Sequence, residues 1–312
     1  MVQQKHFTYA SVVSGVDVAG YMWEPEEMTP KLLLVISHGM SEGMTRYDEF
    51  ANYMAARGVL VAGKDHLGHG KTARGADELG YFGRVKYDNI QNADFHKLVN
   101  LVRAMYPQVP LFVMGHSMGS FLVREYITEH GDNLDGVILS GAGDMSRFKV
   151  SMGRALVDMM SLFKGQQYRS TLVQKLIFGK FNSHISNPRT QLDWLTRDTA
   201  VVDEYMRQKD NGFIFTLNGF THMLLNIIRV SQSQTFSKVP SDLPLLLVGG
   251  GEDPLGDWGR ALPVLSKKYH AGGVKDVTVK LYPDARHEVV NELNKDQIDE
   301  DILSWMESRI HE

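Results

Sequence analysis

Two pentapeptides of the form G-x-S-x-G stand in this chain of 312 residues, at 39–43 and at 115–119. A serine between two glycines at a tight strand-to-helix turn is pushed out of the chain, where it can attack a carbonyl carbon. Both pentapeptides follow an apolar run, so the residues after them decide. The stretch from Met118 to Ile127 can begin a helix at once, which sets the positive end of a helix beneath the charge that develops in such an attack. Ser41 is followed by the polar stretch 42–46, which reads as a loop. Ser117 is therefore the expected nucleophile.

A serine hydroxyl needs a base to remove its proton, and the base needs a carboxylate to orient it. In open sheets with such a turn these partners come later in the chain, acid before base, past the ends of later strands. His287 lies just beyond the apolar run 277–281 and fits the base, whereas His130, His184, His222, His270 and His311 fall in helical or terminal contexts. Asp253 follows the run 245–248 through three glycines, and its place before Pro254 holds it in an extended turn. Asp257, Asp284 and Glu252 are its rivals. A tetrahedral intermediate also needs two N–H donors for its oxyanion. The backbone amides of Met118 and Met40 are suited to this, and Gly39 lets the first loop approach a ligand closely.

The elements that must position these groups repeat one theme from residue 32 onward: a short apolar run, a Gly-containing turn and a stretch of helical period. The runs are 32–37, 59–62, 111–114, 137–139, 245–248 and 277–281, with helix-like segments near 46–57, 89–105, 118–130, 258–270 and 297–311. Apolar strands without alternation are buried on both faces, and helices between them imply crossovers in a mostly parallel sheet. Residues 7–23 read as a hairpin ahead of this α/β layer. From 145 to 240 the theme stops, and helical patterns rich in Met and Phe replace it. The expected organisation is a core of 1–144 and 241–312 with a helical cap, 145–240, over the edge where such sheets bind ligands.

Composition narrows the chemistry. Apolar residues make up 43% and charged residues 22%, with 33 Lys and Arg against 37 Asp and Glu, so no positive field exists to hold nucleic acid. The chain has no cysteine, which excludes disulfides, thiolate metal sites and a Cys nucleophile. The N-terminus lacks the apolar core of a signal peptide, and no apolar run reaches membrane-spanning length, so a soluble, cytoplasmic protein is expected. The loop Gly68-His69-Gly70-Lys71-Thr72 imitates a phosphate loop, but Asp65 stands where the first glycine is needed and no long helix follows. His66 and His69, three apart and without a thiolate, make a weak metal site. Neither a metal nor an organic cofactor is expected. His116, next to the nucleophile, is expected to be structural rather than the base, because the elbow turns adjacent side chains in different directions.

The segments His38-Gly39-Met40-Ser41-Glu42 with Arg46-Tyr47, 65–70, 115–120, 249–254 and Arg286-His287-Glu288 occur in an order that resembles the α/β-hydrolases. More narrowly they resemble the monoacylglycerol lipase and lysophospholipase group, catalogued with serine aminopeptidase-like hydrolases. The resemblance implies an α/β-hydrolase fold with helices on both faces of the sheet, nucleophile Ser117, acid Asp253, base His287 and oxyanion donors Met40 and Met118, and leaves the ester open among monoglycerides, lysophospholipids and small esters. A cap rich in flexible Met and Phe can line an acyl tunnel, so a single-chain lipid, a monoacylglycerol or lysophospholipid, is the expected ester. Gly39, His116 and the cap residues Met159, Phe163, Phe178 and Phe213 are the expected lining, and transient contact of the cap with a membrane or micelle would follow. The alternatives are a small-ester carboxylesterase, a serine aminopeptidase with Asp193, Asp198, Asp203, Glu204 or Asp210 holding a free amine, and a non-catalytic binding protein.

Overall fold

The computed structural model describes residues 2–26, 28–83 and 89–310. A hairpin of β1 (Val2–Ala10) and β2 (Asp17–Pro25) opens the chain, as expected. The strands β3 (Leu32–Ser37), β4 (Val59–Lys64), β5 (Leu111–His116), β6 (Gly136–Ser140), β7 (Leu245–Gly250) and β8 (Val277–Tyr282) follow. Together they form one sheet in the order β1-β2-β4-β3-β5-β6-β7-β8. The hairpin joins antiparallel through β2 and β4, and every pairing from β4 to β8 is parallel. Strands β3 to β7 are buried along their whole length, which is why their sequences show no alternation.

The helices among the described residues are α1 (Asp48–Ala55), α2 (Ile90–Met105), α3 (Met118–His130), α4 (Arg147–Lys164), α5 (Thr171–Phe178), α6 (Thr199–Arg207), α7 (Leu217–Val230), α8 (Ser233–Phe236), α9 (Ala261–Ala271) and α10 (Lys295–Glu307). Successive side chains of β3 face opposite layers. Leu32, Leu34 and Ile36 pack with Phe50 and Met54 of α1 and Ile298 and Ile302 of α10, while Leu33 and Val35 pack with Leu98 of α2, Val123 of α3 and Leu265 of α9.

Several strands run further than their apolar stretches. Gly63, Gly115 and Gly249 end those stretches in the sequence yet stay in the ladder, opposite Ile36, Ser37 and Leu281. The loops after β4, β5 and β7 therefore leave the sheet two residues later than hydropathy alone places them.

The insertion between β6 and β7 is helical, α4 to α8. It is not a detached layer. Val150 and Val157 of α4, Val173 of α5 and Phe220 and Leu224 of α7 share one apolar cluster with Met118, Phe121 and Leu122 of α3. Phe236 and Val239, inside the span assigned to the cap, pack instead with Leu265 and Tyr269 of the sheet layer. No helix among the described residues is long and apolar enough to cross a membrane.

Candidate active site

Ser117 occupies the single residue between β5 and α3, with φ 52° and ψ −118°. A left-handed backbone costs a non-glycine residue about 1–2 kcal/mol. The turn is held by Ser117 N donating to Ser140 O at 3.0 Å and by Ser120 N donating to Ser117 O at 2.9 Å. Gly119 is required because a Cβ there would overlap Ser37 O, so α3 can lie against the end of β3 only with glycine at that point. The elbow thus exists because β3 and β5 are neighbours, with Ser37 in register with Gly115.

The base and acid loops leave adjacent strands, with Gly250 of β7 opposite Tyr282 of β8. A Cβ on Gly250 would overlap the carbonyls of Ala285 and Arg286, so this glycine lets the His287 loop lie on the Asp253 loop. His287 Nδ1 is 3.0 Å from Asp253 Oδ2, and both side chains are buried. The approach is close but out of line for a full hydrogen bond. Burial alone would lower the His287 pKa, but the Asp253 carboxylate, with Glu288 and Glu42 further off, holds it above its ordinary value. Asp253 Oδ1 accepts from Leu255 N at 2.8 Å, which fixes the carboxylate. Asp257 turns to Arg260 at 2.9 Å, and Asp284 and Glu252 are exposed. Only Asp253 among these rivals reaches the imidazole.

The loop after β3 runs beside the serine: a Cβ on Gly39 would come within 3.2 Å of Ser117 Cβ. Its peptides are held on either side of Met40. Gly39 N donates to Glu42 Oε1 at 2.5 Å, and Ser41 N donates to His69 Nε2 at 3.2 Å. His69 must then carry its proton on Nδ1, which donates to Leu67 O at 3.1 Å. His38 follows the same logic, with Nε2 accepting from His66 N at 3.0 Å and Nδ1 donating to Gly39 O at 2.8 Å. Burial, which favours the neutral ring, pushes the His69 pKa down to about 3 and depresses those of His38 and His66. These imidazoles are a neutral rack for the loop. The Met40 amide between them meets no protein acceptor among the described residues, and Met118, first residue of α3, has no earlier turn to accept its own. Two backbone amides beside Ser117 are thus without a protein acceptor among the described residues.

A buried network ties this loop to the base. Tyr47 Oη donates to Glu42 Oε1 at 2.8 Å, and Arg46, its neighbour, pairs with Glu288, the residue after His287. Burial and the nearby Glu288 carboxylate raise the Glu42 pKa to about 7. The cap is tied to both loops. Tyr205 Oη and Gly212 N each donate to Ser41 O at 2.8 Å, and Ser41 Oγ donates to Phe213 O at 2.7 Å. On the other side His287 N donates to Trp194 O at 3.3 Å and Arg286 Nη1 to Asp193 O at 2.7 Å. Ser41 also has a positive φ, 57°, but its hydroxyl is spent on the cap.

Ser117, His287, Gly39 and His116 open onto a cavity of about 1120 Å³, at the upper end of small-molecule sites. Phe121 of α3, Val150 of α4, Ile177 of α5 and Met223, Leu224 and Ile227 of α7 give it apolar walls. Phe178 and Phe213 are in the lining. Met159 and Phe163 are not: they are 52% and 82% exposed, because the face of α4 that turns inward is the one carrying Val150 and Val157. His116 Nδ1 is 3.2 Å from Ser140 Oγ, and burial beside His287 lowers its pKa to about 3, so it is a neutral wall of the site. The loop at 65–72 is closed on its own anion, since Asp65 accepts from Met44 N, Lys71 N and Tyr21 Oη at 2.7–2.9 Å. Tyr205 and Trp194 have no motif of their own, whereas Glu42, Arg46 and Glu288 stand inside the segments that carry the resemblance, without any sign there that they join.

The family described as serine aminopeptidase, S33, matches residues 28–294. A monoacylglycerol lipase of Mycolicibacterium smegmatis is 27% identical over 96% of this chain and 95% of its own. A monoglyceride lipase of Rattus norvegicus is 27% identical over 92% of this chain and 86% of its own. Among solved structures, a thermostable carboxyl esterase from Bacillus coagulans in complex with glycerol superposes with a TM-score of 0.90 at 27% identity, over 99% of both chains.

Proposed function

The chain belongs to the serine aminopeptidase S33 family of α/β-hydrolases, and on that premise we propose that it hydrolyses carboxylic esters through an acyl-enzyme on Ser117, with a monoacylglycerol or lysophospholipid as substrate. His287 takes the proton as Ser117 Oγ attacks the ester carbonyl, and Asp253 stabilises the imidazolium. The oxyanion receives the Met40 and Met118 amides, already fixed before substrate arrives. His287 returns the proton to the leaving alcohol, and water, deprotonated by the same imidazole, releases the acid and frees Ser117. Every step uses groups of this chain.

The observation that carries the reading is the joining of a Ser117–His287–Asp253 array and two free amides to a large apolar cavity. The ester reading is favoured over the aminopeptidase one by the carboxylates. None of Asp193, Asp198, Asp203, Glu204 and Asp210 lines the cavity; Asp198 caps α6, and Asp203 pairs with Arg189 at 2.7 Å. The carboxylates that do line it are engaged, Asp144 by Lys268, Glu288 by Arg46, Asp257 by Arg260 and Glu42 by Gly39 N and Tyr47 Oη.

Apolar contact contributes roughly 0.8 kcal/mol per buried CH₂, so kcat/KM is expected to climb along a series of monoacylglycerols until the cavity is full, and amino-acid amides are expected to react poorly. A steady fall from acetyl to decanoyl esters, measured below micelle-forming concentrations, would leave a small-ester hydrolase and remove the lipid assignment.

A further inference from the structure

We propose that Glu292 is a positioning residue for the catalytic base: its buried carboxylate clamps the cap segment 193–197 to the loop 286–292, so that His287 is held from the cap as well as from the core. The role rests on the ester hydrolysis proposed above.

The two segments lie side by side and are joined residue by residue. His287 N donates to Trp194 O at 3.3 Å, Glu288 N to Leu195 O at 2.7 Å and Thr196 Oγ1 to Asn291 O at 2.8 Å. Arg286 Nη1 reaches Asp193 O at 2.7 Å and Thr196 O at 3.1 Å. The indole of Trp194 rests on the His287 ring, centroids 5.0 Å apart. Neither residues 193–197 nor His287 itself belongs to a helix or strand, so their backbone is fixed by bonds between loops.

Glu292 closes this seam. Its side chain is fully buried, and both oxygens are filled. Oε1 accepts from Arg286 N at 2.9 Å and Arg197 N at 3.0 Å, and Oε2 accepts from Arg197 Nε at 2.8 Å and Leu293 N at 3.0 Å. Arg197 Nη2 goes on to Asn294 Oδ1 at 2.7 Å. One carboxylate thus bonds the residue before the base on one side and the cap residue three past Trp194 on the other. A buried ion pair is poor glue, because desolvation offsets its attraction. What four convergent donors supply is fixed geometry, since charge-assisted bonds in a buried network are short and directional. The described residues that line the cavity include Trp194, Leu195, His287 and Glu288 but neither Glu292 nor Arg197, so the clamp acts through the base and not on substrate. The imidazole is held between Asp253 on the core side and Trp194 on the cap side, and misplacing a reacting group by about 1 Å can cost roughly a hundredfold in rate.

The test is steady-state kinetics of the full chain on a soluble short-chain ester, below each variant's denaturation midpoint, with active sites counted by fluorophosphonate labelling. In Glu292→Gln the carboxamide nitrogen must face one pair of donors, so two bonds are lost. kcat is expected to fall about ten- to a hundredfold while KM stays within about twofold. Arg197→Met is expected to act in the same way, and Arg197→Lys, which keeps a cation for Oε2, to recover most of the loss. The pH profile separates position from charge. An imidazole loosened from Asp253 moves the acidic limb of kcat/KM down toward about 6.5, whereas loss of the Arg197 cation by itself moves it up. The limb of Arg197→Met is expected to move down. Arg189→Met breaks an exposed pair with Asp203 in the same cap and is expected to leave kcat unchanged. Unchanged kcat in folded Glu292→Gln and Arg197→Met, an upward limb in Arg197→Met, or an equal loss in Arg189→Met would overturn the clamp. If Glu292→Gln does not fold, the two Arg197 variants decide alone. An unaltered protein that turns over no soluble ester would overturn the hydrolase reading, and the clamp with it.

Discussion

Tyr205→Phe removes one hydroxyl from the point where the cap grips the loop that offers the Met40 amide. Ser41 O keeps its bond from Gly212 N at 2.8 Å, and Gly212 N keeps Ser41 O, so no buried group is orphaned. The loss is then the bond to Ser41 O and the weaker, 3.1 Å share of the bifurcated Gly212 N donor, together about 0.5–1.5 kcal/mol net. If that energy serves to hold the Met40 amide on target, it is expressed in the transition state, and kcat falls by about two- to tenfold. This is well short of the 10²–10³ that follows outright removal of an oxyanion donor. Steady-state kinetics on a soluble ester separate the cases, because a positioning effect lowers kcat with KM nearly unchanged. Tyr205 also lines the cavity. A raised KM at constant kcat would make its hydroxyl a substrate contact and refute the positioning argument.

Other consequences are as direct. Ser117→Ala is expected to lower kcat by several orders of magnitude, whereas Ser41→Ala loses a hydrogen bond to Phe213 O, about 1 kcal/mol of stability in denaturant melts, and keeps most of its turnover. Asp253→Asn is expected to cost about 10⁴ in kcat, with Asp257→Asn and Asp284→Asn near wild type; the reverse pattern would move the acid to another loop. The base must be neutral to accept a proton, and the carboxylate beside His287 raises its pKa, so the acidic limb of kcat/KM for the intact enzyme should lie above 6.5, the ordinary imidazole value, in a pH–rate profile. Gly119→Ala forces a Cβ into Ser37 O and is expected to cost about 1–3 kcal/mol, read as a shifted denaturation midpoint together with lost activity.

The parts of the site legible in the sequence are those fixed by local geometry. Ser117, Asp253 and His287 stand in the turns after β5, β7 and β8, so chain order alone orders them, and Met118 follows the nucleophile of necessity. What joins them is non-local. Tyr205 reaches Ser41 across 164 residues and Arg46 reaches Glu288 across 242, and no periodicity records such pairs. The placement of Met159 and Phe163 failed for a different reason. Helix α4 has apolar residues on two faces, Val150 and Val157 on one and Phe148, Met152 and Met159 on the other, and hydropathy does not say which turns inward. Phe236 likewise looks like any cap aromatic in the sequence, where nothing local records its contact with Tyr269 of α9, ring centroids 5.0 Å apart.

The central claim, that an ester's acyl group passes through Ser117, is tested most directly by trapping the nucleophile. After treatment with an alkyl fluorophosphonate, intact-mass measurement and peptide mapping are expected to show one adduct per chain, on the peptide containing Ser117, with hydrolysis lost in proportion to labelling. An adduct on Ser41, or full turnover by a protein labelled stoichiometrically at Ser117, would contradict it.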